Sequence, residues 1–209
     1  MGLREQKKLQ TKQLIYRVAM EMFAERGFDA VSVLEIAERA QVSKMTVFNY
    51  FPSKEDLVFG PIEEHVGDAA EMVTSRLPGE SVVRAAHRVF LERLAARSPE
   101  SGLLDDPVFL QVMDVVRNTP ALVARIYRFQ LAAEERLAVE LEKESPGDLR
   151  ARVAASQIMG LWRTLQIENS RAVFLGASAD EAYPAAVAKA DLGFGLLESG
   201  LGDYLTREG

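Results

Sequence analysis

At 209 residues, with 48% apolar and 27% charged side chains, the chain has the composition of one or two folded domains, which excludes disorder as its resting state. The absence of cysteine excludes disulfides, thiolate zinc sites and a cysteine nucleophile. Net charge is −6, yet residues 1–54 carry nine Lys/Arg against six Asp/Glu while 55–209 carry sixteen against twenty-five, so a polyanion is drawn to the first part and repelled by the rest.

Nearly every long segment reads at helical period. Leu14, Val18, Met22 and Phe23, with Ile15 and Ala19 beside them, form one apolar stripe, and Gly27 ends that helix. Ser32 with Glu35 three residues on predicts a capped short helix carrying Ile36, Ala37 and Ala40. Ser43 opens a third helix over Lys44–Tyr50, which Pro52 stops, and Ser53 with Asp56 caps a fourth that Pro61 kinks or delays. Further helices are expected at about 81–97, to about Asn118 after a loop from Pro99 to Asp106, and at about 120–144 with Thr119 as N-cap. A long one follows over 148–175, and a last one, capped by Ser178 and Glu181, runs to about 200. No run alternates like a strand, so the expected fold is all-α with about nine helices. No run reaches the roughly 18 apolar residues of a membrane span. The basic stretch Met1–Thr11 is not followed by a signal-like apolar segment, so a cytoplasmic protein is expected.

Residues 32–51, SVLEIAERAQVSKMTVFNYF, have the layout of a helix-turn-helix: a short helix, the turn Gln41-Val42-Ser43, and a second short helix. Such a second helix enters the major groove N-terminus first. Ile36, Ala37, Ala40, Val42 and Val47 are expected inside, with Lys44, Met45, Phe48 and Asn49 outward. Taken alone, this spacing fits a compact helical corner as well as a DNA reader. The surroundings favour the reader: Arg4, Lys7, Lys8 and Lys12 are expected ahead of the first helix, placed to grip phosphate, Lys54 follows at a helix N-terminus that favours an anion, and the Tyr50 hydroxyl suits a backbone oxygen.

The stretch KQLIYRVAMEMFAERGFDAVSVLEIAERAQVSKMTVFNYFPSKEDLV, within residues 12–58, strongly resembles the N-terminal domain of the TetR family of bacterial transcription regulators. Its specific pieces are FAERGF, SVLEIAERAQVS and TVFNYFPSKEDL. The resemblance implies a three-helix DNA-binding domain (residues 1–53) on a larger all-α ligand-binding and dimerisation domain (54–209). It also implies a homodimer, a double-stranded operator, and repression relieved by a small molecule, without enzymatic activity or cofactor. Carried over by position, Ser32 and Val33 open the helix that approaches the backbone. Lys44, Met45, Phe48 and Asn49 face bases, and Thr46, Tyr50 and Lys54 hold phosphates. The family often has tyrosine where this chain has Phe48. Without a hydroxyl Phe48 cannot donate to phosphate, which leaves it an apolar contact such as a thymine methyl.

Residues 60–209 only loosely look like family domains that bind acyl-CoA-like or other greasy ligands. His65 and His87 have no glutamate three residues before them, so neither metal nor di-iron chemistry is expected. No Gly-rich phosphate loop or Gly-x-Ser-x-Gly elbow appears, which weighs against a helical enzyme. In the long segment, Met159, Trp162, Gln166 and Asn169 share one face, and Ile158, Leu161 and Leu165 form a second stripe, expected to meet the domain's core on one side and a twin subunit on the other. The last helix adds Tyr183, Val187, Ala190, Phe194 and Leu197, with Gly193 and Gly195 allowing close approach. Phe90, Met113, Tyr127 and Met159 fit either plain core or a pocket wall. Arg117, Gln130, Trp162 and Gln166 are the polar groups that would orient a ligand in such a pocket. A DNA-binding protein without a ligand remains the alternative, with a filled core where the pocket would be.

Overall fold

The computed structural model describes residues 2–63, 70, 74–202 and 204–207. All regular structure among them is helical: α1 (Leu3–Arg26), α2 (Val33–Arg39), α3 (Lys44–Tyr50), α4 (Asp56–Glu63), α5 (Val82–Ala95), α6 (Pro107–Arg117), α7 (Pro120–Glu144), α8 (Leu149–Phe174) and α9 (Ala179–Leu201), with a 3-10 turn at Pro99–Ser101. His65 lies outside the described residues. The chain divides into two compact units, one of residues 1–65 and 106–127, the other of 66–105 and 128–209. The first unit thus reaches past residue 53 to take in α4 and α6, because both pack on α1.

Local chemistry sets the helix starts. Ser32, Ser43, Ser81, Asp106, Asp148 and Ser178 each sit in extended backbone and accept an N–H of the following turn. An oxygen there satisfies a donor that the helix leaves unpaired. Thr119 departs from its expected capping role: its hydroxyl donates back to the Val115 carbonyl (2.8 Å), finishing α6 instead of starting α7. Pro61 does not delay α4, which starts at Asp56 and runs on to Glu63, and α1 starts at Leu3, so Arg4, Lys7, Lys8 and Lys12 lie within the first helix and not ahead of it.

The first unit buries Ile15, Val18, Ala19, Met22 and Phe23 of α1 with Ile36, Val47, Phe51, Leu57 and Phe59. In the second, α5, α8 and α9 enclose Phe90, Leu94, Ile158, Leu165, Ala190 and Phe194. Both stripes of α8 are used inside this unit. Ile158 and Leu165 are core, and Leu161 lies where Gly193 of α9 leaves no room for a side chain: a β-carbon there would be 2.6 Å from a Leu161 methyl. Gly195 faces open space. The large apolar side chains that α8 and α9 leave exposed are different ones, Leu149, Val153 and Ile167 on α8 and Leu192 and Leu196 on α9.

Candidate nucleic-acid interface

The α2–turn–α3 segment is fixed from both ends. At the start of α2 the Ser32 N–H donates to the Glu35 carboxylate (2.7 Å), and the Glu35 N–H donates back to the Ser32 hydroxyl (3.2 Å). Those bonds, with Arg26 at 2.8 Å, push the Glu35 carboxyl down to about 2. Arg39 at the other end of α2 pairs with Glu25 of α1 (3.0 Å). Two of the nine cations in residues 1–54 are therefore committed to holding α2 on α1. The turn is closed by Gln41 and Val42 N–H groups on the carbonyls of Glu38 (3.1 Å) and Ala37 (2.9 Å). Gln41 takes φ +55° to make it, a left-handed value that costs a residue with a β-carbon about 1–2 kcal/mol.

α3 then places its residues by period. Val47 is fully buried against α2, while Lys44, Met45, Phe48 and Asn49 are exposed. The Lys44 ammonium lies 5.8 Å from the centre of the Phe48 ring. Ser43 and Thr46 join hydroxyls at 2.8 Å, and Ser43 caps the helix through the Thr46 N–H (3.0 Å). Within α3 there is no acidic side chain. The four residues expected to face bases thus form one outward edge of mixed cationic, amide and apolar character.

The residues expected to hold phosphates are more varied. Ser32 is exposed but its hydroxyl serves the α2 cap; Val33, Thr46 and Tyr50 are half-buried. Lys54 is steered by aromatic rings, its ammonium 4.3 Å from the Phe28 centroid and 5.8 Å from that of Phe23. Burial there lowers its pKa, opposed by the charges of Asp29, Glu55 and Glu35. Just beyond it, Ser53 caps α4 by accepting the Asp56 N–H (3.2 Å), while the Asp56 carboxylate accepts from the Ser53 N–H and hydroxyl (both 2.6 Å) and pairs with Arg125 of α7. Burial raises the Asp56 pKa, but the bonds from Ser53 and Arg125 outweigh it and leave the carboxyl below its usual value. Arg125 also reaches the Ser53 hydroxyl (3.3 Å). Nothing local marks Arg125 in the sequence, since its partner is 69 residues away.

The residues expected around a ligand fall into both units. In the first, Met113 is half-buried, Tyr127 is exposed, and the exposed Arg117 pairs with Asp114 at 3.0 Å. In the second, Phe90 meets Trp162 edge-on with centroids 4.9 Å apart, and Met159 is half-buried. The polar face of α8 already has a partner. Trp162, Gln166 and Asn169 donate to the carbonyls of Glu100 (3.0 Å), Pro99 (3.2 Å) and Ser101 (2.9 Å), fastening the 3-10 turn to the helix. Gly102 makes the approach possible: at φ +79°, a β-carbon would lie 2.3 Å from the Gln166 carbonyl oxygen. The shared face was readable from spacing; the turn that occupies it was not. Gln130 differs, its Oε1 buried with no hydrogen-bond partner among the described residues. Among those residues no group of three or more His, Asp or Glu gathers as metal ligands would.

Residues 15–59 match the family model of the bacterial regulatory proteins of the tetR family. The HTH-type transcriptional regulator TcmR of Streptomyces glaucescens is 30% identical over 182 residues, spanning 86% of this chain and 80% of its own. Among solved structures, Salmonella enterica GusR shares the fold at a TM-score of 0.57 and 20% identity, over 91% of this chain and 95% of its own. FadR from Bacillus subtilis, solved with stearoyl-CoA, does so at 0.53 and 19%, over 87% and 97%. With a capped helix-turn-helix whose second helix leaves one edge exposed, and a relative similar over most of its length, the chain belongs to the TetR family of DNA-binding transcriptional regulators.

Proposed function

We propose that the chain is a homodimeric repressor that holds a palindromic operator with α3 of each copy and releases it when a small, largely apolar molecule binds. The observation that carries the reading is the α3 edge, with Lys44, Met45, Phe48 and Asn49 exposed over a buried Val47. Those four read bases, while Ser32, Val33, Thr46, Tyr50 and Lys54 position the backbone, the contact type that fixes register without carrying sequence. DNA reading belongs to residues 1–53, effector binding and self-association to the remainder, and the protein works in the cytoplasm.

Self-association rests on the exposed stripe Ala185, Ala188, Leu192 and Leu196 of α9, with Gly195 open beside it. A two-fold operator calls for a two-fold reader. The effector reading rests on Gln130, whose buried Oε1 suits a donor on a ligand, and on Phe90, Met159 and Trp162 as apolar wall. Since the Trp162 and Gln166 polar groups hold the Pro99–Ser101 turn, Gln130 replaces Gln166 as the polar grip. FadR, which shares the fold, was solved with stearoyl-CoA, so acyl-CoA is the first probe. A coupling of about 1–3 kcal/mol loosens operator binding about 5- to 150-fold. The test titrates stearoyl-CoA, then aromatic and planar compounds, into the protein–duplex complex while following Trp162 emission, the chain's one tryptophan. Release of DNA together with a change in emission supports the reading. Release that leaves Trp162 unchanged in the wild type and normal in Trp162→Phe removes the proposed wall, and no release by any compound removes the effector.

A further inference from the structure

The α3 edge is unusual in chemistry for a surface facing a polyanion: two of its four outward side chains are large and apolar. Met45 is 69% exposed and Phe48 36%, while every other large apolar group on α2 and α3 except Leu34 is buried or half-buried. Neither side chain is needed by the core, so the pair is free to make an apolar contact beside the Lys44 charge. Three residues apart on one helix, the two side chains leave the same face with β-carbons about 5–6 Å apart. Lys44 stands over the Phe48 ring at 5.8 Å and supplies the charge that draws the edge to DNA.

The apolar feature that a major groove offers is the C5-methyl group of thymine. Successive bases rise about 3.4 Å along a strand, so a 5–6 Å spacing spans one to two steps. We infer that Met45 and Phe48 are specificity determinants that read the 5-methyl groups of two thymines lying one or two steps apart in each operator half-site, next to the base taken by Lys44. This rests on α3 being the DNA reader, as proposed above. Met45 adapts its flexible thioether chain to one methyl, and the stiffer Phe48 ring, held under Lys44, packs on the other.

The test uses the full-length protein and duplexes selected by it from a random-sequence pool. In a selected duplex each thymine is replaced singly by uracil, which removes one methyl and leaves every hydrogen-bonding group in place. One buried methyl-sized group contributes about 0.8 kcal/mol, so binding falls about fourfold at the two read positions and stays unchanged elsewhere. Met45→Ala and Phe48→Ala each become insensitive to uracil at their own position and keep the wild-type loss at the other. Both sites are exposed, and a wild-type circular dichroism spectrum with unchanged binding to random DNA shows that the variants fold. Selected duplexes that bind equally well with uracil throughout overturn the methyl reading while α3 stands as reader. A pool from which no sequence is enriched overturns the reader itself.

Discussion

Asp56 joins the end of the helix-turn-helix to the helix that follows it, and removing its charge should loosen that junction measurably. It accepts from the Ser53 N–H and hydroxyl at 2.6 Å each and pairs with Arg125; the two side chains are only 12% and 16% exposed. Asp56→Asn keeps the size and one accepting oxygen but withdraws the charge from Arg125. Breaking a buried pair from one side costs about 3–5 kcal/mol. The slight exposure and the surviving neutral bond to Ser53 reduce this to about 2–3 kcal/mol. Hydrogen exchange at the Leu57–Phe59 amides, whose carbonyl partners are Lys54 and Glu55, reads the junction locally. These amides should exchange about 30- to 150-fold faster in the variant. The carboxyl is depressed in the folded state, so its contribution is fully present above the ordinary carboxylate pKa near 4 and fades as pH falls through the lower folded value. Asp56→Asn should lose that acid dependence. A double-mutant cycle with Arg125→Met should show coupling above about 1 kcal/mol. Unchanged exchange in Asp56→Asn, or a coupling of zero, would refute the argument.

Three other substitutions probe the helix-turn-helix turn, the fastened 3-10 turn and the exposed stripe of α9. Gln41→Gly should stabilise the first unit by about 0.5–1 kcal/mol, since glycine takes the left-handed turn without strain but loses more freedom on folding; a lowered melting temperature would contradict the turn geometry. Gly102→Ala should cost about 2–4 kcal/mol, combining left-handed strain with overlap on the Gln166 carbonyl, and should shift Trp162 emission as the Pro99–Ser101 turn moves; emission and stability like wild type would sink the fastened turn. Leu196→Glu, at a side chain 66% exposed, should leave the helical signal intact yet give monomers by light scattering that no longer bind operator; an unchanged dimer would move the interface away from this stripe of α9.

What the sequence disclosed and what it hid divide by distance along the chain. Caps such as Ser32–Glu35, Ser53–Asp56 and Ser178–Glu181 act over three residues, and the starts of those helices follow from them, as the outward edge of α3 follows from the 3.6-residue period. The same period put Trp162, Gln166 and Asn169 on one face. It could not show that the turn Pro99–Ser101, more than sixty residues earlier, consumes their donors. Arg125 on Asp56 is hidden for the same reason. The hydroxyl of Thr119 had two local partners available, and only the folded backbone shows that it chose Val115. On α8 the second apolar stripe was legible as a stripe, but that it meets Gly193 of α9 required the packing itself.

Sequence reading by α3 is tested most directly by comparing Lys44→Ala and Lys54→Ala on a selected duplex and on random DNA across a salt series. Lys44 stands on the exposed edge of α3 proposed to read bases, so its loss should cost about 1–3 kcal/mol on the selected duplex and much less on random DNA, shrinking the ratio between them. Lys54, held by the Phe28 ring beside the reader, should weaken both duplexes alike and lower the salt slope by about 0.9. Equal losses on both duplexes for Lys44→Ala would contradict the account.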